Sequence, residues 1–196
     1  MSGARHVERG SSGPRLRAGI AGILLTLLSA CASNGPPPLQ PLDRAIELER
    51  FMGDWYVIGF IPIEIPFFSE AGAHNAVESY QLDGDGTIQT TYTFRDGAFD
   101  GPEKRYTPKG WVHDDVTRTE WRMQFVWPFR SAYLIVHVDP DYRQTIIGVP
   151  DRGNIWIMSR DPDMSDAAYQ SLLDRAEALG YDLTKIQRVP QRWPGG

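Results

Sequence analysis

The sequence predicts an all-β domain with one flanking helix: an eight-stranded antiparallel up-and-down barrel with a C-terminal α-helix packed outside. Three observations predict it. From Met52 onward, eight apolar or alternating segments follow one another at short, regular spacing, the pattern of a meander that closes on itself. The stretches between them are rich in Asp, Gly, Pro and Asn, residues that favour turns through left-handed backbone, fixed φ or side-chain hydrogen bonds. One long helical period comes after the eighth segment.

Asp54–Ile61 is the first strand, entered through Gly53. Asn75–Asp83 and Thr87–Arg95 flank "GDG" and form a hairpin. A fourth strand is expected around Arg105–His113 and a fifth over Thr119–Trp127. In the fifth, Trp121, Met123, Phe125 and Trp127 alternate with Arg122 and Gln124, the period of a half-buried strand. Ala132–Asp139, Arg143–Val149 and Ile155–Arg160 complete the set. The helix has Ser165 at its N-cap, Asp166 in its first turn and Gly180 at C′. Ala168, Leu172, Ala176 and Leu179 share one face, which directs it onto the barrel exterior. Thr184–Val189 reads as a short ninth strand.

The chain divides into a signal peptide (1–30), a linker (31–43) and the barrel domain (44–196). Arg5, Arg9, Arg15 and Arg17 precede an apolar run from Ala18 to Leu28, the layout of a secretory signal. The run falls short of the ~20 residues that a spanning helix needs. Three consecutive prolines in the linker favour an extended, polyproline-like spacer. The whole chain carries a net charge of −5; removing the signal's four Arg and one Glu (+3) leaves −8. That charge disfavours nucleic acid and anionic surfaces as targets.

Two resemblances add to this reading. Leu28-Ser29-Ala30-Cys31 resembles the lipobox of bacterial lipoproteins, which implies cleavage before Cys31 and acylation of it. Several acyl chains anchor a protein stably where one does not. Ala32, where Asp would favour retention in the inner membrane, implies the outer membrane, lipid-anchored on its periplasmic face. With the only cysteine so committed, no disulfide remains within the domain.

The barrel itself resembles the lipocalin family, in particular the bacterial outer-membrane lipoprotein branch related to apolipoprotein D. "GDWY" (Gly53–Tyr56) matches the first lipocalin motif, Gly-x-Trp. "VDPDYR" (Val138–Arg143) stands where Thr-Asp-Tyr belongs, without its Thr. "IWIMSRDP" (Ile155–Pro162) matches the third, with Arg160 ending the eighth strand. The resemblance implies that Trp55 lies inside the closed end, covered by Arg160 through a cation–π contact. Gly53, Trp55 and Arg160 are thus structural. It also implies that Tyr80 and Trp156 face a ligand, and that the ligand is a fatty acid or lysophospholipid.

Alternation phased on Trp55 places Val57, Gly59 and Ile61 inside, Gly59 leaving room for a ligand. The same phasing lines the interior with Tyr92 and Phe94, with Trp121, Met123, Phe125 and Trp127, and with Tyr133, Ile135 and His137. Such aromatics would equally fill a solid core. Phe67 and Phe68, in the loop after the first strand, suggest a lid or a membrane contact. Burying ten methylenes at ~0.8 kcal/mol each gives roughly 8 kcal/mol before ordering costs, so micromolar binding needs most of a long chain buried.

No metal or lipase signature occurs, and the sequence implies no cofactor. A binding protein, with no catalytic residues, is the expectation. The alternative is a barrel enzyme acting on a lipid or isoprenoid, with His137 beside Asp139 as half of a catalytic pair. A third reading, an envelope-stress or scaffold protein, makes the pocket incidental. Monomer and homodimer are both open.

Overall fold

The computed structural model describes residues 36–66 and 68–193. The expected signal peptide and lipidation site, Cys31, lie outside the described residues, as does Phe67. A one-turn helix α1 (Leu48–Phe51) leads into β1 (Gly53–Ile61). A small hairpin, β2 (Glu64–Ile65) and β3 (Phe68–Ser69), interrupts the path to β4 (Ala73–Leu82). β5 (Thr87–Asp96), β6 (Glu103–Tyr106), β7 (Lys109–Val112) and β8 (Glu120–Val126) follow. β9 (Phe129–Val138), β10 (Gln144–Gly148) and β11 (Ile155–Ser159) complete the wall. Helix α2 (Asp166–Ala178) and a two-residue β12 (Gln187–Arg188) come last.

Each wall strand pairs antiparallel with its predecessor, and β11 pairs back onto β1, which closes an eight-stranded barrel. Closure pairs with each other the two strands, β1 and β11, that would otherwise be edges of the wall. The fourth wall strand is two pieces, β6 and β7, because Pro108 has no N–H to give the ladder. The Pro108 carbonyl instead accepts from the Thr90 amide at 3.1 Å. The expected ninth strand shrinks to β12, which pairs with Gly59 and Phe60 of β1.

Apolar side chains divide between two faces of one wall. Phe51, Trp55, Val57, Phe60, Tyr80, Trp121 and Trp156 pack inside. Ile58, Leu134, Ile146 and Ile157 pack outside, beneath Tyr169, Leu172 and Ala176 of α2. The helix starts and stops as the sequence indicates. Ser165 Oγ accepts from the Ala168 amide at 3.2 Å, and Gly180 holds φ +87°. The segment ahead of the barrel runs from the mouth to the base: Leu39 binds the Pro150 carbonyl, Leu42 that of Ile135, and Ile46 that of Thr117.

Two bulges correct the inside–outside assignment. The β1 register shifts between Val57 and Gly59, so Phe60 takes the inward place and Gly59 turns outward against α2. A Cβ on Gly59 would stand 2.4 Å from the Tyr169 hydroxyl. Gly59 therefore admits the helix, not a ligand, and Ile61 also packs on the outer side. On β9, Ile135 pairs with Ile147 but His137 with Ile146. The extra residue sends His137 out with Ile146 and brings Val138 in. An extra residue in one strand inverts every side chain beyond it.

Candidate functional site

The closed end is built first. α1 crosses the base of the barrel, and Phe51 contacts Trp55 with ring centroids 5.1 Å apart and Trp121 edge-on at 5.4 Å. The Trp55 indole N–H donates to the Phe51 carbonyl at 2.8 Å, while the Arg160 guanidinium covers the ring face at 3.8 Å. Arg160 also donates to the carbonyls of Asp54, Arg50, Phe51 and Met52 at 2.6–3.0 Å, tying α1 to the barrel. Gly53 holds φ +91°, and a Cβ there would lie 3.3 Å from Arg160 Nη1. The motif glycine thus gives both the left-handed turn and room for the arginine. At the nearby turn, Asp139 Oδ1 accepts from the Arg143 and Gln144 amides without the motif's Thr.

The mouth is different. A cavity of about 650 Å³ opens there, lined mainly by apolar side chains: Ile63, Ile65, Phe68, Phe125, Val126, Phe129, Tyr133, Val149 and Trp156, with Ser131, Asp151 and Asn154 among the polar ones. Below it a void of about 10 Å³ is bounded by Glu70, Glu78, Tyr92, Tyr106 and Pro108. Phe68, Phe125, Tyr133 and Trp156 line both spaces. Phe68 reaches this place from the β2–β3 hairpin and packs edge-on against Tyr106 at 4.4 Å.

Two carboxyl groups are buried beside these shared side chains. Glu70 accepts from the Ile63 amide at 2.6 Å and from the Trp156 indole at 3.0 Å. Glu78 accepts from the Tyr133 hydroxyl at 3.0 Å, and Tyr133 also bonds Tyr80. Burial pushes both carboxyls up to about 7, against the pull of these hydrogen bonds. For Glu78 the neighbouring Glu70 charge adds to the rise. Burial also holds the Tyr80, Tyr92 and Tyr133 hydroxyls well above the ordinary tyrosine value, so all three stay protonated.

A family model described as "Lipocalin-like domain" matches residues 46–191, most of the chain. The chain is a lipocalin. "Outer membrane lipoprotein Blc" of Escherichia coli (strain K12) is 29% identical over 168 residues, 84% of this chain and 90% of that protein. "Temperature-induced lipocalin-1" of Arabidopsis thaliana is 29% identical over 157 residues, 76% of this chain and 81% of that one. Among solved structures, apocrustacyanin C2 superposes with a TM-score of 0.57 at 14% identity, over 74% of this chain and 80% of that one. Lobster apocrustacyanin A1 gives 0.56, also at 14% identity, over 74% and 79%. These two likenesses are of fold.

In this lipocalin, the residues expected to face a ligand separate by height. Trp156, Tyr133 and Phe125 line the mouth cavity, and Tyr92 the small void. Tyr80, Phe94, Trp121, Met123 and Ile135 are packed in the interior core and line neither space. Trp127 does not enter the barrel: it is 81% exposed at the rim. His137 lies outside, where burial first and then Arg175 lower its pKa to about 4, so it forms no catalytic pair inside the barrel. Among the described residues no three metal-ligating side chains converge. Glu70 and Glu78 were missed by sequence reasoning. Glu78 had a signal, since it shares the parity of Tyr80 on one strand. Glu70 lies in a loop without periodicity and had none.

Proposed function

We propose that this lipocalin is a membrane-anchored carrier of single-chain lipids, fatty acids or lysophospholipids, at the outer membrane. One observation carries the reading: an apolar mouth cavity of about 650 Å³ above a barrel packed solid at its base. A chain laid in that cavity gains roughly 0.8 kcal/mol per methylene removed from water, while its headgroup stays near Asp151, Asn154 and solvent. The outer-membrane lipoprotein relatives support the location.

Anchoring also suits the orientation of the barrel. Leu39 enters the fold at the mouth, beside Pro150, and Cys31 lies eight residues earlier. An extended tether of that length reaches at most about 28 Å. Trp127 and Phe129, 81% and 73% exposed, project at the same rim. An acylated Cys31 would keep the barrel within that reach of the bilayer from which a lipid is taken. No helix of the described residues is long and apolar enough to cross a membrane.

Native mass spectrometry of protein purified without detergent tests the reading. Retention of a fatty acid or lysophospholipid is the expected result. Empty protein that also takes up no added lysophospholipid overturns it.

A further inference from the structure

The void beneath Phe68 is about 10 Å³, room for a single water-sized group. Glu70, Glu78 and Tyr92 border it, at 2%, 4% and 4% exposure. The Tyr92 hydroxyl makes no hydrogen bond of good geometry, and the acceptor it faces is Glu70. Burial first, and then the charges of Glu70 and Glu78, raise its pKa. Neither carboxyl forms a salt bridge among the described residues. Two buried acids and a phenol oxygen thus border one small space, walled by aromatic rings, which shares Phe68, Phe125, Tyr133 and Trp156 with the apolar mouth cavity.

We propose that this void seats a primary ammonium group, carried by a long-chain amine whose alkyl chain fills the mouth cavity. The inference rests on the carrier reading and narrows its ligand class. An –NH₃⁺ group has three donors and no acceptor, and the void offers three acceptors: two carboxylates and the Tyr92 oxygen. Hydrogen bonds between ionised partners are shorter and stronger than neutral ones.

Competing groups fit less well. A carboxylate head would bring a third acid to the pair, so a fatty acid sits with its head at the mouth. A trimethylammonium head is larger than the void. An inorganic cation finds only two acidic ligands here. The two lipid classes consequently bind in opposite directions.

The test titrates the unmodified protein with dodecylamine, dodecyltrimethylammonium, dodecanol and dodecanoate below their micelle concentrations, followed by calorimetry. Dodecylamine is expected to bind about tenfold more tightly than dodecanol and the trimethyl analogue, or roughly 1.4 kcal/mol. Glu78→Gln and Glu70→Gln are expected to abolish that preference. Equal affinity of amine and alcohol, or a preference that survives both substitutions, overturns the proposal. If dodecanol and dodecanoate bind while the amine has no advantage, only the ammonium seat falls; if none of the four binds, the carrier reading falls with it. The headgroup series on unmodified protein decides even if the variants do not fold.

Discussion

The two ends of the barrel use the same residue types for opposite purposes. At the base, Trp55, Phe51 and Trp121 are almost wholly buried, the two indole N–H groups bond backbone carbonyls, and Arg160 closes the end. At the mouth, Trp156 gives its N–H to a buried acid, Phe68 lines both spaces, and Trp127 and Phe129 face solvent. Aromatic area buried against protein stabilises the fold, whereas aromatic area left on a cavity wall or rim is free to stabilise a complex. Composition cannot tell the ends apart; their position along the barrel does.

The largest expected break of the contrast is Trp55→Ala. Removing a fully buried ring at the base should cost about 3–5 kcal/mol, measured by urea denaturation, and destabilise the whole barrel.

The interior carboxyls come next. Burial raises them to about 7 in the folded chain from an ordinary carboxyl value of 4.5, so the folded state holds its protons to higher pH. Their unfavourable contribution is absent below pH 4.5, grows as pH rises through this window and is complete above about 7, to at most about 3 kcal/mol per carboxyl. Glu70, Glu78 and the hydroxyls of Tyr80, Tyr92 and Tyr133 are the titratable groups that face one another here. Glu78→Gln should flatten the fall of Tm between pH 5 and pH 8; an unchanged slope would place the titration elsewhere.

Arg160→Ala should cost about 2 kcal/mol, through carbonyls left unpaired at the α1–β1 junction. Arg160→Lys should recover only part, since an ammonium cannot stack on the indole while forking to several carbonyls. The smallest change in stability, within about 0.5 kcal/mol, is expected for Trp127→Ser with Phe129→Ser. Their effect should instead be weaker association with phospholipid vesicles in a flotation assay. A large loss of Tm in that double variant would show that the rim is part of the core.

Much of this architecture was legible in the chain. Strand order, the Asp-Gly hairpin, the Ser165 cap and the Gly180 stop depend on neighbours a few residues apart, where periodicity and turn chemistry act. The Trp55–Arg160 contact was legible through motif resemblance; the indole N–H bond to the Phe51 carbonyl was not. Gly59 and His137 were misplaced because each lies just past a bulge, and a period of two carries no record of a skipped residue. Trp127 was misplaced because its strand ends one residue earlier.

The sequence by itself determined an eight-strand meander, one outer helix and an aromatic interior, since these follow from local period and turn residues. Only the tertiary structure decided which aromatics are core and which line a cavity. It alone brought Glu70, from a loop, against Glu78, from a strand, at one void beneath Phe68. Barrel closure sets that meeting by joining first and last strands, and no local pattern encodes a distance across the interior.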